Sequence, residues 1–323
     1  MEIACGTLSD VAGKPYTIID SRRVDARGRR REALKITGKR EIHFEDVRKP
    51  LQSAFRYFRA QVEHLPGRRW PRSGESHDLL RELVRRFIIS THQLYTATIS
   101  LMADNRTPAL VMPAGVVARA LVEGLGNLLA ILEAPNDAAE WFLKDDYLNR
   151  FRRWQSARKR FGNTAGVEKE TRSLKQGAQD LKLTPEEIAS PEKRLQEWPT
   201  PRRLLDQGRL TGERGQVFEE IYDFWYKWLS ALAHHRFAAL QAAVYTEEQP
   251  SEETFVMVKS VTATLAVSIA LCVLSEVEAF YELPPNPPLR AAWEQMREAD
   301  EAIKTVYGMR YARLLKMDLA LTE

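Results

Sequence analysis

The sequence predicts an all-α fold: an antiparallel helical bundle with a polar helical and loop insertion and a short N-terminal arm. Three observations carry that prediction. From residue 44 onward, apolar residues recur at three- and four-residue steps. Strand-like stretches are confined to the first 43 residues, so strand and helix do not alternate. The breaks between periodic segments are short and marked by proline or glycine, as at Pro66-Gly67, Pro135-Asn136 and Pro284 to Pro288.

Residues 1–43 form a basic arm. Residues 16–20 and 33–37 are short, partly β-branched runs suited to a small hairpin, and an arginine-dense stretch from Arg22 to Arg31 separates them. Val47, Leu51, Phe55, Phe58 and Val62 then mark the first amphipathic helix, which Pro66-Gly67 ends. Leu79, Leu80, Leu83, Phe87, Ile88, Leu94, Ile99 and Leu101 mark a second, long helix to about Asn105. Thr107-Pro108 supplies a cap and a first-turn proline for a third helix to about Leu132, with a kink expected at Pro113. That helix is apolar nearly all round, which implies burial on several sides. A fourth, residues 137–161, carries Tyr147, Phe151, Trp154 and Phe161 on one stripe. Residues 162–214, polar and broken by Pro185, Pro191, Pro199 and Pro201, read as short helices and loops inserted in the core. Two long helices are expected over residues 217–245 and 252–283, and a last one over residues 289–317. The expected organisation is an arm at 1–43, a bundle core at 44–284 containing the 162–214 insertion, and a C-terminal helix within 285–323.

Composition narrows the function classes. At 323 residues with 44% hydrophobic and 28% charged content, the chain can bury a large core without staples. Its two cysteines, Cys5 and Cys272, make neither a disulfide framework nor a CxxC zinc site. Residues 1–6 lack the basic end and apolar run of a signal peptide, and a cytoplasmic location is expected. The uncharged apolar run at 260–275 falls short of the ~20 residues of a membrane span, so a buried core helix and no membrane partner are expected. A net charge of +4 permits nucleic-acid binding without arguing for it. There is no Walker or Rossmann glycine pattern and no His-x-x-x-His or Glu-x-x-His pair, so neither a cofactor nor a metal is expected.

Four constellations merit attention. Arg119 and Glu123, four residues apart on the apolar third helix, share a face. They form either a polar site within the bundle or a self-satisfied ion pair, because a charge among such neighbours must be partnered. Second, at about 100° per residue, Asp223, Lys227, Ser230 and His234 fall on one stripe beside Tyr226. His234 can act as acid or base near neutral pH, or can be a satisfied histidine in a bundle seam. Third, an arginine and a following histidine separated by four to six intervening residues, the spacing of one class of helical ribonuclease, occur at Arg59/His64, Arg72/His77 and Arg85/His92. Arg86/His92 also fits and has the best helical context, but Phe87 stands where that class has a polar residue. Fourth, Arg152, Arg153, Lys159 and Arg160 form a basic face able to touch phosphates, or simply a solvated one.

Two of these helices together resemble a family. The pattern Arg119-Ala-Leu-Val-Glu123, followed about a hundred residues later by Tyr226, Ser230 and His234 at four-residue steps, resembles a bacterial family of uncharacterised helical proteins. That family is loosely comparable to the HEPN bundles associated with nucleotides and RNA. The resemblance spans residues 76–283. It implies a helical bundle that gathers Arg119, Glu123, Ser230 and His234 in one place as candidate catalytic residues. The HEPN comparison further implies metal-independent RNA cleavage, dimerisation and a defence or toxin role. RNA and a second copy of the chain are the expected partners. The competing expectation is a non-catalytic scaffold that self-associates or binds another protein through its apolar helices.

Overall fold

A computed structural model describes residues 23–24, 30–31, 35–37, 41–64, 76–103, 111–226, 229–230, 252–297 and 301–317. In chain order the elements are the strands β1 (Arg23–Val24), β2 (Arg30–Arg31), β3 (Lys35–Thr37) and β4 (Glu41–His43), then the helices. These are α1 (Phe44–His64), α2 (Ser76–Ala103), α3 (Val111–Glu133), α4 (Pro135–Phe161), α5 (Ala165–Asp180), α6 (Pro185–Ala189), α7 (Pro191–Arg194), α8 (Pro201–Asp206) and α9 (Gly212–Ile221). After α9 come a π-helical turn (Tyr222–Tyr226), α10 (Glu252–Phe280), α11 (Pro287–Met296), α12 (Glu301–Val306), a second π-helical turn (Tyr307–Tyr311) and α13 (Ala312–Leu314). The fold is all-α, with two small antiparallel hairpins before it. β1 pairs with β2, and β3 pairs with β4 so that Lys35 faces His43. The run at 33–37 is thus a strand over 35–37, whereas the run at 16–20 lies outside the described residues.

The chain divides into two compact units: one holds residues 1–64, 86–125 and 212–323, the other residues 65–85 and 126–211. In the first, α1 turns Val47, Leu51, Ala54, Phe55 and Phe58 inward, the three- and four-residue spacing of one helix face. α1 packs against α10 and α11. Every residue of α10 from Thr262 to Glu278 is buried, as its apolar composition requires. A stretch of α10 (Val261–Phe280) and one of α3 (Pro113–Glu133) are long and apolar enough to cross a membrane, exceeding the uncharged run at 260–275 because they take in flanking charges. In the most apolar window of each, 89% of the first and 61% of the second is buried inside the protein, which is also the behaviour of core helices.

Polar groups inside this unit are tied in. Glu276 on α10 is completely buried and accepts from Arg310 through both carboxylate oxygens and from Arg214 Nε at 3.0 Å. Glu278, one residue pair further on, accepts from Arg290 and from the backbone N–H of Asn286, whose side chain caps α11 by accepting from Leu289 N–H. Cys272 is fully buried and burial pushes its thiol well up, so it is an inert core residue.

Two expected helices contain π-turns. The segment expected as one helix from 217 contains the π-turn at Tyr222–Tyr226, and its continuation from residue 231 lies outside the described residues. The expected C-terminal helix is instead α11, α12, the second π-turn and α13. Thr107-Pro108 also lies outside the described residues.

In the second unit, Tyr147 and Leu148 of α4 pack with Leu174, Ala178, Leu183 and Leu195, and with the partly buried Phe151 and Trp154. Phe161 departs from the expected stripe. It is 60% exposed because it is the last residue of α4 before Gly162, whose φ of +68° turns the chain away; Arg160 lies over its ring at 5.3 Å. The proline-broken segment forms α5 to α8. Thr184 caps α6 in a reciprocal box: its Oγ1 accepts from Glu187 N–H at 3.2 Å, and Glu187 accepts from Thr184 N–H at 2.8 Å. That backbone bond, with Lys144 at 3.0 Å, outweighs partial burial and holds the Glu187 carboxyl below its ordinary value. A depressed carboxyl contributes stability above its unfolded pKa and loses it as pH falls through the folded one. Urea unfolding at about pH 6 and about pH 3.5 is therefore expected to show a smaller acid-dependent loss in Glu187→Gln than in the wild type. Equal losses in the two proteins would remove Glu187 from the acid response.

Candidate functional site

The site begins with a helix that is too apolar to leave a charge unpaired. On α3, Ala118, Leu121, Val122 and Leu125 are buried, and Arg119 and Glu123 stand one turn apart between them. Arg119 Nε donates to Glu123 Oε1 at 3.0 Å. Arg119 Nη2 donates to Tyr226 Oη at 3.0 Å, and the Tyr226 hydroxyl donates to the same Glu123 oxygen at 2.9 Å. The guanidinium carbon also lies 5.1 Å from the Tyr226 ring centroid, so the tyrosine contacts Arg119 through both its oxygen and its π face. Tyr222 stacks on Tyr226 at 4.5 Å and 19° and fixes the ring.

Both tyrosines lie in the π-turn. A π-turn spaces hydrogen bonds five residues apart, so Tyr222 and Tyr226 align more nearly above one another than they would in an α-helix, and such turns recur at functional sites. Burial, then the bond to Glu123, pushes the Tyr226 phenol up, which keeps it a neutral donor and acceptor. Burial would lower the Arg119 guanidinium, but Tyr226 and Glu123 together hold it above its ordinary value. The side chains of Arg119 and Glu123 keep 22% and 38% of their surface, so the triad is open to solvent on one side.

Arg119 and Glu123 are thus brought together as their spacing suggested. Ser230, one turn past Tyr226, is helical and half-buried. His234 lies outside the described residues. Tyr226, which the helical wheel put merely beside the polar stripe, is the group that joins the two helices; the only signal for it was its place at the head of the four-residue series.

A family model, the family of unknown function DUF5677, matches residues 81–252, just over half of the chain. The chain belongs to DUF5677. Neither the curated proteins nor the solved structures give a match. The DUF5677 region contains both Arg119–Glu123 and the Tyr226–His234 series, and also the second unit from Gly126 to Thr211. Glu276 and the rest of α10 lie beyond it.

The other candidates separate. Arg85 is bound to Glu82 at 2.8 and 3.1 Å. His92 stacks on Phe55 at 4.6 Å, and burial, then Arg59 and Arg56 of α1, hold its imidazole below the ordinary value. The charges that act on His92 therefore come from a neighbouring helix as well as from its own sequence. The side chains of His64, Arg72 and His77 lie outside those described. Of the basic face, Arg152 is bound to Glu197 at 2.6 Å and lies 3.9 Å from Glu192. Arg153 donates to the Asn149 carbonyl at 3.3 Å, while Lys159 and Arg160 are exposed at the end of α4. Among the described residues, no three His, Cys, Asp or Glu side chains gather as metal ligands.

Proposed function

We propose that this chain is a HEPN-like bacterial protein that cleaves or binds RNA in a defence or toxin-type system, with its site at Arg119, Glu123, Ser230 and His234. The observation that carries this reading is the hydrogen-bonded triad of Arg119, Glu123 and Tyr226. It joins two motifs 103 and 107 residues apart and leaves the guanidinium on a part-open surface. In this reading His234 takes the proton from a ribose 2′-hydroxyl, the oxygen attacks the adjacent phosphorus, and the P–O5′ bond breaks as the 5′-oxygen takes a proton from water, giving a cyclic phosphate end and a 5′-hydroxyl. Arg119 stabilises the charge that grows on the phosphate oxygens, and Glu123 with Tyr226 holds the guanidinium in place. No metal is required.

The test is incubation of purified protein with total RNA. The wild type is expected to fragment it. His234→Ala should slow cleavage by about 10²–10⁴-fold and Arg119→Ala by about 10²–10³-fold. Tyr226→Phe keeps the ring but loses the hydroxyl and should fall between these and the wild type. RNA patterns that do not differ between wild type and His234→Ala would count against catalysis.

A second reading, a self-associating scaffold, is favoured by Val116. It is 45% exposed three residues before Arg119, so an apolar side chain lies on the same open face of α3 as the triad. Light scattering that gives a monomer at every concentration would remove the homodimer form of this reading.

A further inference from the structure

The second unit carries an open cleft of about 550 Å³ whose walls include Trp141, Trp198, Pro199, Arg203 and Arg209. Both indole N–H groups are already used. Trp141 Nε1 donates to the Gln196 carbonyl at 3.1 Å, and Trp198 Nε1 donates to Asn127 Oδ1 at 2.9 Å. The two rings meet edge to face at 5.2 Å and 68°, and Phe142 meets Trp198 at 5.3 Å. The indoles are therefore fixed in orientation, and what they offer a ligand is π surface rather than hydrogen bonds.

Arg209 is placed by the end of α8. Gly208 sits at φ +63°, a conformation that favours glycine. Arg209 N–H donates to the Leu204 carbonyl at 2.9 Å and Gly208 N–H to the Leu205 carbonyl at 3.0 Å, the paired bonds of a Schellman cap. This turn brings the Arg209 guanidinium to 5.2 Å from the Trp141 ring centroid. Arg203, on α8 itself, lines the same cleft. Among the described residues neither arginine has a carboxylate partner; Glu197, which also lines the cleft, is paired with Arg152 at 2.6 Å, and Asp206 with Arg202 at 2.9 Å. The uncompensated charge at the cleft is positive.

We infer that this cleft binds a nucleoside phosphate unit of single-stranded RNA, the base stacking on the Trp141–Arg209 pair and the phosphate lying between Arg203 and Arg209. Aromatic faces fixed beside guanidiniums suit that chemistry. A base has a π face to stack whatever its sequence, and the guanidinium fork matches phosphate oxygens. The identity of the ligand as RNA rests on the reading under Proposed function, whereas the shape and charge of the cleft do not.

Fluorescence anisotropy of a labelled single-stranded RNA 12-mer against the full chain, at several salt concentrations, tests the inference. Arg203→Gln/Arg209→Gln is expected to weaken binding by about 10–100-fold. Its log K against log salt slope should be shallower by about 0.7, the value for one phosphate contact of a single strand. Trp141→Leu should weaken binding by about 5–100-fold and Trp141→Phe by less, since a ring face remains. The two arginines are exposed, so their double variant keeps the test alive if Trp141→Leu fails to fold. Adenosine monophosphate should displace the labelled RNA better than inorganic phosphate does. Unchanged affinity in the double arginine variant, or equal displacement by phosphate alone, overturns the cleft assignment. RNA cleavage without any effect of the cleft variants on binding sinks the cleft and keeps the catalytic reading. Cleft-dependent binding with no cleavage by wild type does the reverse.

Discussion

Glu276→Ala is expected to cost about 3–5 kcal/mol of folding stability, a large share of the roughly 5–15 kcal/mol of an ordinary protein. The carboxylate has no exposed surface and is the common acceptor for Arg310, from the second π-turn, and Arg214, from α9. Removing it leaves a guanidinium that is 11% exposed facing a core, with, among the described residues, the half-exposed Glu213 at 3.6 Å as the remaining carboxylate partner. Arg214 suffers less, because its 16% exposure gives it a short route to water. The cost is that of stranding a charge, not the net worth of the ion pair, and the two can be told apart. Glu276→Leu combined with Arg310→Met removes both buried partners and should be less damaging than Glu276→Ala alone. Urea unfolding of the two variants beside wild type reads this directly. If Glu276→Ala unfolds within about 0.5 kcal/mol of wild type, the carboxylate is not the hub of this cluster.

What the sequence made legible follows from the range of the interactions. The helices α1 to α4 and α10 declare themselves through local periodicity, and the Arg119–Glu123 pair through its one-turn spacing. Glu276, by contrast, reads only as a charge bordering an apolar run, because its partners stand 34 residues ahead and 62 behind. No periodic rule reaches that far. The π-turns are equally hidden. A wheel of 100° per residue keeps phase up to Tyr222 and then slips, since a π-turn holds more residues per turn and rotates less with each one between Tyr222 and Tyr226. Tyr226, which a 100° wheel sets beside the stripe of Asp223, is the residue that meets Arg119. The basic face on α4 looked uniform in sequence, yet Arg152 is spent on two glutamates from the proline-broken segment. Arg153, Lys159 and Arg160 of that face remain exposed.

The second large effect is expected at Trp293. On α11 this indole is fully buried, stacks on Tyr311 at 5.1 Å and 24°, and leans on Tyr307 at 5.6 Å. Its Nε1 donates to Ser275 Oγ on α10 at 2.9 Å. One side chain therefore packs the second π-turn and α10 at once, and Trp293→Ala should cost about 3–5 kcal/mol through lost contacts and the cavity left behind. The hydrogen bond is a separate and smaller contribution. Ser275→Ala keeps the packing but leaves a buried N–H unpaired, at about 1–3 kcal/mol. Trp293→Phe leaves the serine hydroxyl unpaired and shrinks the ring. Combining Ser275→Ala with Trp293→Phe removes donor and acceptor together, so the pair should unfold at a lower cost than the two single variants summed. Strict additivity in thermal and urea denaturation would mean that Trp293 acts through packing alone. A Trp293→Ala protein as stable as wild type would show that α11 is not held to α10 and the π-turn by this ring.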